Sequence, residues 1–484
     1  MIPKSIAVIG AGPSGAAMAK ALLRERCFRI KVFVRRSQFG GLWNYRGETD
    51  IVPTPSEKPY FVKPILDNDN IIWPTPAYEH LDTNVPKDVM TYGSLQFPDS
   101  LPIFPHRSDV NEYMQKYAEE IRSVTQLETI VVSVTRSIDK WKVVSRLVCQ
   151  ETLGGQVEGE KVRDEVEYFD AIAIAVGNYD VPYLPTKPGM DEWNSRFPYS
   201  ISHVKTFKSC AQFAKVEGNI VVVGNSASAA DICYQLAEGL QKNIYKSRRS
   251  DNPSPVSPST KIIENPDIHH FDSFSKTVVF VDGTKTENVD NIIFATGYLK
   301  SFPFLKEFDQ SSTPLITDGQ MVHGTYQHII LYNFPNLAVL GLPKFVLPAR
   351  TSESQACWLA KVWSGKLQIP SREKMAEWEQ QRLELKGPGK EFHDLKFPED
   401  VKYCNSLNAQ VLQNIESTGI GLKPMVWDKH QTRVRASMKR IKEAYVKYRT
   451  STGKLAANYE ELEAVYPGCL VNDKVLEDHG FHFD

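Results

Sequence analysis

The sequence predicts an α/β fold that contains two Rossmann-like, doubly wound dinucleotide-binding domains. A first glycine-rich turn directly follows the apolar run 6–9 and reads Gly10-Ala11-Gly12-Pro13-Ser14-Gly15. A second follows the apolar run 220–223 and keeps small residues at Gly224, Ser226, Ser228 and Ala229. Each turn joins a β-branched strand to a predicted helix, and in that arrangement backbone amides approach a pyrophosphate. Two such turns indicate an enzyme that passes electrons between two dinucleotides.

The elements around the two turns support this fold class. Hydrophobic spacing predicts a helix at 16–24 and a strand at 30–34, which complete a βαβ unit. Residues 48–107 are rich in Pro, Asn, Asp and aromatic residues and predict a long structured loop. Ser108 is then predicted to cap a helix. Further strands are predicted at 129–134, 141–147, 169–176, 291–295 and 337–342, and further helices from 352, at 371–390 and at 425–465.

The order of these elements divides the chain into three segments. Residues 1–204 form the first part of the larger domain, and residues 205–318 form a smaller domain inserted into it. Residues 319–484 complete the larger domain and add a helical C-terminal extension. Strands that alternate with helices in this way are typical of parallel sheets with helices on both faces.

Composition excludes several classes of function. The 484 residues are 42% hydrophobic and 24% charged, with a net charge of −1 and no basic stripe, so we expect no nucleic-acid partner. Seven scattered cysteines form no CxxC pair and no metal-ligand spacing, which predicts reduced thiols, no metal and a cytoplasmic location. No segment predicts a transmembrane helix, although peripheral membrane association stays open.

A motif between the two turns resembles a known family. Phe197-x-Tyr199-x-x-x-His203-x-x-x-Phe207 is similar to the identifying motif FxGxxxHxxx(F/Y) of flavin-containing monooxygenases, with Tyr199 in place of its glycine. The segments GAGPSG, GGLWNY, TNVP, GNSASAADI, ATGY and ESQA follow the family order, from residue 5 to about 370. The closest resemblance is to the soluble fungal-type enzymes. His203 is interpreted as a structural residue, and Phe207 argues against ketone oxidation.

The resemblance implies FAD on the first turn and NADPH or NADP⁺ on the second. In the larger domain the implied cofactor contacts are Gly10, Ala11, Gly12, Pro13, Ser14, Gly15, Val34, Arg35, Gly41, Leu42, Trp43, Thr83, Asn84, Val85, Val134 and Gln355. In the inserted domain they are Gly224, Ser226, Ser228, Ala229, Ala230, Asp231 and Arg248. A homodimer stays open.

The residues that follow the second strand of each nucleotide-binding unit are also interpreted directly. Val34 stands where a ribose-binding acid is expected, about twenty residues past the turn, so we expect weakened retention of FAD. Arg35 and Arg36, which follow it, either contact phosphate or adenine or form a solvated pair. Arg248, beside Lys246 and Arg249, can pair with a 2′-phosphate and select NADPH. The alternative for this second group is an ordinary surface cluster.

Asn84 is the predicted catalytic residue because it matches the family's active-site asparagine. The resemblance implies that NADPH reduces FAD and that molecular oxygen then forms a flavin hydroperoxide. This species would oxygenate a soft nucleophile, sulfur or nitrogen, of a small molecule, as N,N-dimethylaniline monooxygenases do. Two alternatives stay open. One is an NADPH oxidase or reductase that releases peroxide, and the other is a non-catalytic nucleotide-binding relative.

Overall fold

The computed structural model describes residues 2–47, 58, 62, 64–67, 70–148, 164–250, 259–309 and 311–483. Cys149 and parts of the predicted loop at 48–107 lie outside the described residues. The strands are β1 (Ser5–Ile9), β2 (Arg29–Phe33), β3 (Ile65–Asp67), β4 (Asn70–Ile72), β5 (Thr125–Gln126), β6 (Thr129–Ser137), β7 (Lys140–Leu147), β8 (Glu165–Phe169), β9 (Ala171–Ile174), β10 (Val181–Pro182), β11 (Ile201–His203), β12 (Asn219–Val223), β13 (Ile244–Ser247), β14 (Ile262–Asn265), β15 (Ile268–Asp272), β16 (Thr277–Phe280), β17 (Lys285–Thr286), β18 (Val289–Phe294), β19 (Tyr298–Leu299), β20 (Thr325–Tyr326), β21 (Ile330–Leu331) and β22 (Phe334–Val339).

The helices flank two sheets and dominate the C-terminal third. They are α1 (Pro13–Glu25), α2 (Arg107–Ala118), α3 (Met190–Arg196), α4 (Ala227–Leu240), α5 (Lys306–Asp309), α6 (Pro348–Trp363), α7 (Arg372–Lys386), α8 (Glu399–Thr418), α9 (Lys429–Thr452), α10 (Tyr459–Val465) and α11 (Asp473–Asp478). Among the helices of the described ranges, none combines the length and apolar character that a bilayer crossing requires.

The larger sheet has the order β20-β21-β22-β9-β1-β2-β5. Its five strands from β22 to β5 are parallel, and β20 and β21 extend one edge antiparallel. Strand β1 is buried along its whole length, as a central parallel strand covered on both faces must be. Helix α1 leaves the end of β1 at the first glycine-rich turn and packs on α6.

The second sheet has the order β11-β18-β12-β13-β14, and every pair in it is parallel. Strands β10 and β19 pair with each other where the chain passes from one sheet to the other and back. Strand β11 therefore belongs to the inserted domain, and Phe302 and Phe304 already pack with Phe33 and Trp141 of the larger domain. These contacts move both domain limits toward the N-terminus relative to the predicted 205 and 318.

Several helix boundaries differ from the predicted ones for local reasons. Helix α2 begins at Arg107 because His106, not Ser108, is its cap: the ring accepts from the Ser108 amide, and Asp109 accepts from the His106 amide. Helix α6 begins at Pro348, before the predicted start at 352, since proline suits a first helical position. Helix α8, which lies between the two predicted C-terminal helices, was not predicted.

Candidate functional site

The first glycine-rich turn forms a cradle that requires glycine at positions 10 and 15. Gly10 has φ +101°, and a Cβ there would lie 2.5 Å from the Ala175 carbonyl oxygen. A Cβ on Gly15 would lie 1.9 Å from the Gly10 oxygen, whereas one on Gly12 would meet nothing nearer than Gly41 Cα at 3.7 Å. Gly12 is the N-cap residue of α1 and has no side chain that could bond to the amides of the first turn. These amides are therefore left for a ligand. This cradle fits the pyrophosphate of a dinucleotide.

An open cleft of ≈190 Å³ lies over this cradle, at the carboxyl ends of β1, β2 and β9. Such a position, at the strand ends of a doubly wound sheet, is where nucleotides bind. Most of the predicted contacts of the larger domain share it, together with Asp180 and Thr129 to Val131. The predicted residues that line it are Gly10, Ala11, Gly12, Pro13, Ser14, Val34, Arg35, Gly41 and Leu42.

Arg35 is neither a free phosphate ligand nor a solvated side chain. Its two terminal nitrogens donate to the two carboxylate oxygens of Asp180, at 2.9 and 3.0 Å. Its guanidinium also lies 4.3 Å from the ring centroid of Trp73. Asp180 follows β9 and lines the same cleft as Val34. The end of β2 thus lacks an acid of its own, but the Asp180 carboxylate, from the segment that follows β9 on the other side of β1, lies in the cleft.

Arg36 and Lys205 are further cations beside the cleft, and both are held by protein oxygens. Arg36 donates to the carbonyls of Trp73 (2.6 Å) and Pro74 (3.3 Å). Burial, aided by Arg35, lowers the pKa of Arg36 to about 9. Lys205 is 1% exposed, and its ammonium donates to the Asp180 carbonyl and lies 3.4 Å from Asp180 Oδ1. The alternative of a solvated arginine pair is therefore wrong.

Seven predicted cofactor contacts of the larger domain lie outside the cleft lining, namely Gly15, Trp43, Thr83, Asn84, Val85, Val134 and Gln355. Val134 is fully buried in the core under the cleft, and its amide donates to the Phe304 carbonyl, so Thr129 to Val131 form that wall instead. Gln355 is fully buried. Its side-chain amide accepts a hydrogen bond from the Gly341 N–H and donates one to the Tyr403 hydroxyl, both at 2.9 Å. Trp43 packs half-buried against the larger core. The predicted contacts of Val134 and Gln355 with cofactor are corrected by these placements.

Asn84 lies exposed on the segment 78–85, which enters between helices of both domains. Its side chain makes no hydrogen bond within the described part of the chain. The residue before it is fixed: Thr83 N–H donates to the Pro105 carbonyl (2.9 Å), and its hydroxyl donates to the Val85 carbonyl (2.9 Å). Lys442, on α9, donates to the Thr83 carbonyl at 3.2 Å. Asn84 is thus a free amide on a fixed backbone.

The inserted domain contacts the same segment through α4. Tyr78 donates a short hydrogen bond to the Asp231 carboxylate, and Gln235 donates to the His80 carbonyl at 3.1 Å. Burial, aided by the nearby Asp231 charge, raises the pKa of Tyr78 well above its ordinary value. Asp231, predicted as a cofactor contact, instead uses its carboxylate to join the two domains.

The second glycine-rich turn is shaped like the first but has fewer glycines. Gly224 has φ +142°, and a Cβ there would lie 2.6 Å from the Ala295 carbonyl oxygen. Ser226 caps α4 by accepting from the Ala229 amide, and Ser228 is exposed in its first turn. The side chains of Ala229 and Ala230 are buried, and their amides donate to the hydroxyl and the carbonyl of Ser226, so neither residue has a free amide for a nucleotide.

Three cations follow this turn, and a carboxylate lies among them. Lys246 Nζ lies 3.3 Å from Glu264 Oε1 and 3.3 Å from Asn225 Oδ1. Arg248 Nε lies 3.2 Å from Glu264 Oε2, and its side chain is 30% exposed. Arg249 is exposed. The cluster retains a net positive charge at the end of β13, where a 2′-phosphate is expected.

The motif residues that carried the resemblance have structural roles. His203 is fully buried and accepts from the Lys205 amide. Burial lowers the pKa of His203 to about 3, so the ring is neutral at physiological pH. Phe207 packs edge-on against Tyr78. Tyr199 has φ +68° and is 80% exposed, which explains why the motif has glycine at this position.

The most informative residues that the sequence analysis missed are Asp180 and Lys442. A weak signal existed for Asp180, which ends the run Gly177-Asn-Tyr-Asp180 after a buried strand. Lys442 is one of many lysines on a charged helix and carried no signal. Burial lowers its pKa, while the nearby carboxylates of Asp231 and Asp82 oppose that effect.

Comparisons with known proteins agree with this arrangement. The family model "FMO-like: Flavin-binding monooxygenase-like" matches residues 74–252 and 259–426. A thiol-specific monooxygenase of Saccharomyces cerevisiae is 28% identical over 439 residues, which are 88% of this chain and 89% of the relative. The flavin-containing monooxygenase FMO GS-OX5 of Arabidopsis thaliana is 31% identical over 391 residues, with 77% and 76% covered.

Solved structures share the fold. An S-allyl-L-cysteine S-oxygenase from Allium sativum superposes with a TM-score of 0.73 at 23% identity, covering 96% of this chain and 98% of that one. Tmm from a Pelagibacter species superposes with a TM-score of 0.68 at 21% identity, covering 93% and 91%. At these identities the structural likeness shows the fold.

Proposed function

Because the chain belongs to the flavin-binding monooxygenase-like family, we propose that its substrate is a small thiol or thioether whose sulfur it oxygenates. Enzymes of this family use FAD and NADPH, and the chain is an FAD-dependent monooxygenase of sulfur or nitrogen. The choice of sulfur rests on one observation: a relative that is matched over 89% of its length is a thiol-specific monooxygenase. The oxidase and the non-catalytic alternatives are not favoured.

The chain's own residues bind the cofactors and position the reaction. Bound FAD supplies the transfer of electrons from NADPH to oxygen. The amides at the start of α1 would hold its pyrophosphate, and Gly41 and Leu42 would form a wall of its cleft. The turn before α4 and Arg248 would hold NADPH. One oxygen atom of O₂ would be added to the sulfur and the other would leave as water. NADPH would supply two electrons and one proton as a hydride, and solvent would supply the second proton.

Asn84 is proposed as the catalytic residue because its side-chain amide is free and its backbone is held close to both domains. A neutral amide donates and accepts hydrogen bonds without a change in charge. It can therefore hold an electron-rich oxygen on one side and a cofactor edge on the other. The contacts from α4 and α9 keep its segment in place, so the backbone that carries the amide is positioned before substrate binds.

A cytoplasmic location and a homodimer remain predictions. The six cysteines in the described ranges are free thiols, which supports a reducing compartment.

Product analysis under ¹⁸O₂ tests the proposed function. The FAD-loaded protein and NADPH are supplied with a cysteine-type thiol, an S-alkyl thioether and a tertiary amine in parallel. For each NADPH oxidised, the expected result is one labelled oxygen in the sulfoxide of the thioether, or one disulfide from the thiol, because a sulfenic acid that condenses with a second thiol releases its labelled oxygen as water. Labelled amine oxide without a sulfur product would assign nitrogen as the target. Hydrogen peroxide as the product with every compound would contradict oxygenation.

A further inference from the structure

The ribose-binding acid that this fold normally carries is missing from its usual place. In a doubly wound domain a carboxylate at the end of the second strand accepts hydrogen bonds from the ribose hydroxyls. Here that position is Val34, which is 6% exposed and lines the cleft with an isopropyl group. An apolar group cannot accept a hydrogen bond, so the hydroxyls would lose their partner on entering the cleft.

Asp180 lies in the same cleft and has accepting capacity left. It follows β9, which pairs with β1, and β1 pairs with β2. Its side chain is 30% exposed, so a ligand in the cleft can reach it. A carboxylate has about four acceptor sites. Arg35 uses two of them, and Lys205 approaches a third at 3.4 Å. At least one site is therefore left for a hydroxyl donor.

The position of this carboxylate is fixed by residues beside Val34. Arg35 is the next residue in the chain. Its two terminal nitrogens donate to the Asp180 carboxylate, and its guanidinium lies 4.3 Å from the ring centroid of Trp73. Lys205, which follows strand β11 of the inserted domain, also approaches the Asp180 carboxylate. Burial alone would raise the pKa of Asp180, but Arg35 and Lys205 outweigh it and keep the pKa below its ordinary value. The group is therefore a fixed anion.

We propose that Asp180 replaces the missing acid at position 34 and accepts a hydrogen bond from the adenosine ribose of FAD. Arg35, which has no ligand role of its own in this scheme, is a positioning residue for the carboxylate. This changes the expectation that Val34 alone weakens retention of FAD. The benefit of a new acid at position 34 depends on whether Asp180 is present.

Equilibrium titration of the cofactor-free full-length protein with FAD, followed by flavin fluorescence, tests the proposal. Asp180→Asn is expected to raise the Kd for FAD by about ten- to a hundredfold, the effect of losing one hydrogen bond to a charged group. Val34→Glu is expected to change the Kd by less than about threefold in the parent. In the Asp180→Asn background it is expected to recover about tenfold, so that the two changes are not additive.

Two controls separate binding from general effects. Asp164 accepts a similar arginine pair from Arg146 on the surface, away from the cleft, and Asp164→Asn should leave the Kd unchanged. Arg35→Met removes the grip but leaves the carboxylate beside Lys205, so it should raise the Kd less than Asp180→Asn does. Equal losses in Arg35→Met and Asp180→Asn would show that Asp180 serves only to hold Arg35, and would overturn the proposal.

The test stays decisive if Asp180→Asn does not fold. Val34→Glu in the parent keeps Asp180 and the whole ion pair, and thermal unfolding without FAD reports its folding. A gain of about tenfold or more in FAD affinity from this single change would show that position 34 is still the empty ribose site, and would contradict the proposal. A change below about threefold supports it.

Discussion

The two glycine-rich turns prepare for a dinucleotide in different ways. At the first, the cations Arg35 and Arg36 are already bound to protein oxygens, and the open cleft presents backbone amides and a carboxylate. At the second, Lys246 and Arg248 share the carboxylate of Glu264, and Arg249 is exposed. The first site therefore offers backbone amides and one carboxylate, whereas the second offers side-chain cations. This difference suits a 2′-phosphate at the second site alone.

The segment 78–85 lies between the inserted domain and the C-terminal extension. It is held by Asp231 and Gln235 of the inserted domain and by Lys442 of the C-terminal extension. A change on this segment should affect the use of both cofactors together, while a change at either turn should affect one.

Substitution of Asn84 should produce the largest loss. Asn84→Asp removes an N–H donor and places a charge beside an electron-rich oxygen, so product formation should fall by about a hundredfold or more. FAD content should stay normal because the glycine cradle is elsewhere. Asn84→Ser should be less harmful than Asn84→Asp. The measurement is the amount of sulfoxide and of hydrogen peroxide formed for each NADPH oxidised by the parent and by both variants. Normal product yield in both variants would show that Asn84 is an ordinary loop residue.

Arg248→Ala should separate the two nicotinamide cofactors. Loss of a charge-assisted contact with the 2′-phosphate should raise the Kd for NADPH by about ten- to a hundredfold. The use of NADH should be nearly unchanged, because that cofactor carries a hydroxyl there. Steady-state kinetics with each cofactor provide the measurement. Equal losses with both would assign Arg248 to folding.

Lys442→Met should loosen the backbone before Asn84. The hydrogen bond to the Thr83 carbonyl is lost, and the fraction of NADPH electrons released as peroxide should rise by about fivefold, the effect of about 1 kcal/mol. Lys442→Arg should largely restore coupling. Lys439 lies exposed on the same helix, so Lys439→Met is the matched control. Unchanged coupling in Lys442→Met, with unchanged hydrogen exchange around Thr83, would remove Lys442 from this role.

Glu264→Gln should strengthen the second site. The carboxylate both competes for Lys246 and Arg248 and repels a phosphate, and an exposed pair of this kind contributes up to about 1 kcal/mol. The Kd for NADPH should fall by about threefold, with NADH unaffected. Glu287, which pairs with Lys285 on the surface of the same domain, offers Glu287→Gln as a control. A weaker NADPH complex would mean that Glu264 organises the cations and does not compete with the phosphate.

Tyr199→Gly should give the smallest effect, on stability alone. A left-handed conformation costs a non-glycine residue about 1–2 kcal/mol, and the exposed ring gives up little when it is removed. Part of the gain is offset by the greater freedom of glycine in the unfolded chain, so Tm should rise by about 2 °C. Val281 is exposed without a positive φ, so Val281→Gly should lower Tm. A fall in both would contradict the strain at Tyr199.

Local pattern was sufficient for the elements next to the two turns. The predicted helix at 16–24 and strand at 30–34 correspond to α1 and β2, because β-branched runs, Pro13 and glycine act within a few residues. Helix α8 was missed because Asp400 and Asn408 are buried on its inner face and interrupt the apolar stripe. Its burial depends on partners elsewhere in the chain.

The parts of the site that could not be predicted depend on distant contacts. The pair Arg35–Asp180 joins residues 145 positions apart, and Lys442 meets Thr83 across 359 positions. Nothing in either local sequence specifies the partner. The role of Gln355 was mistaken for a similar reason, since its two hydrogen-bond partners come from the loop before α6 and from α8.

Titration of FAD and NADP⁺ into two matched variants tests the central claim, that the first turn holds FAD and the second holds NADPH. Gly12→Ala adds a Cβ to the open side of the first cradle with no protein atom within 3.4 Å, and Ser228→Asp adds a charge to the exposed first turn of α4. Gly12→Ala is expected to weaken FAD binding, and Ser228→Asp to weaken NADP⁺ binding with FAD unchanged. Loss of FAD from Ser228→Asp, or of NADP⁺ alone from Gly12→Ala, would contradict the assignment of the two turns.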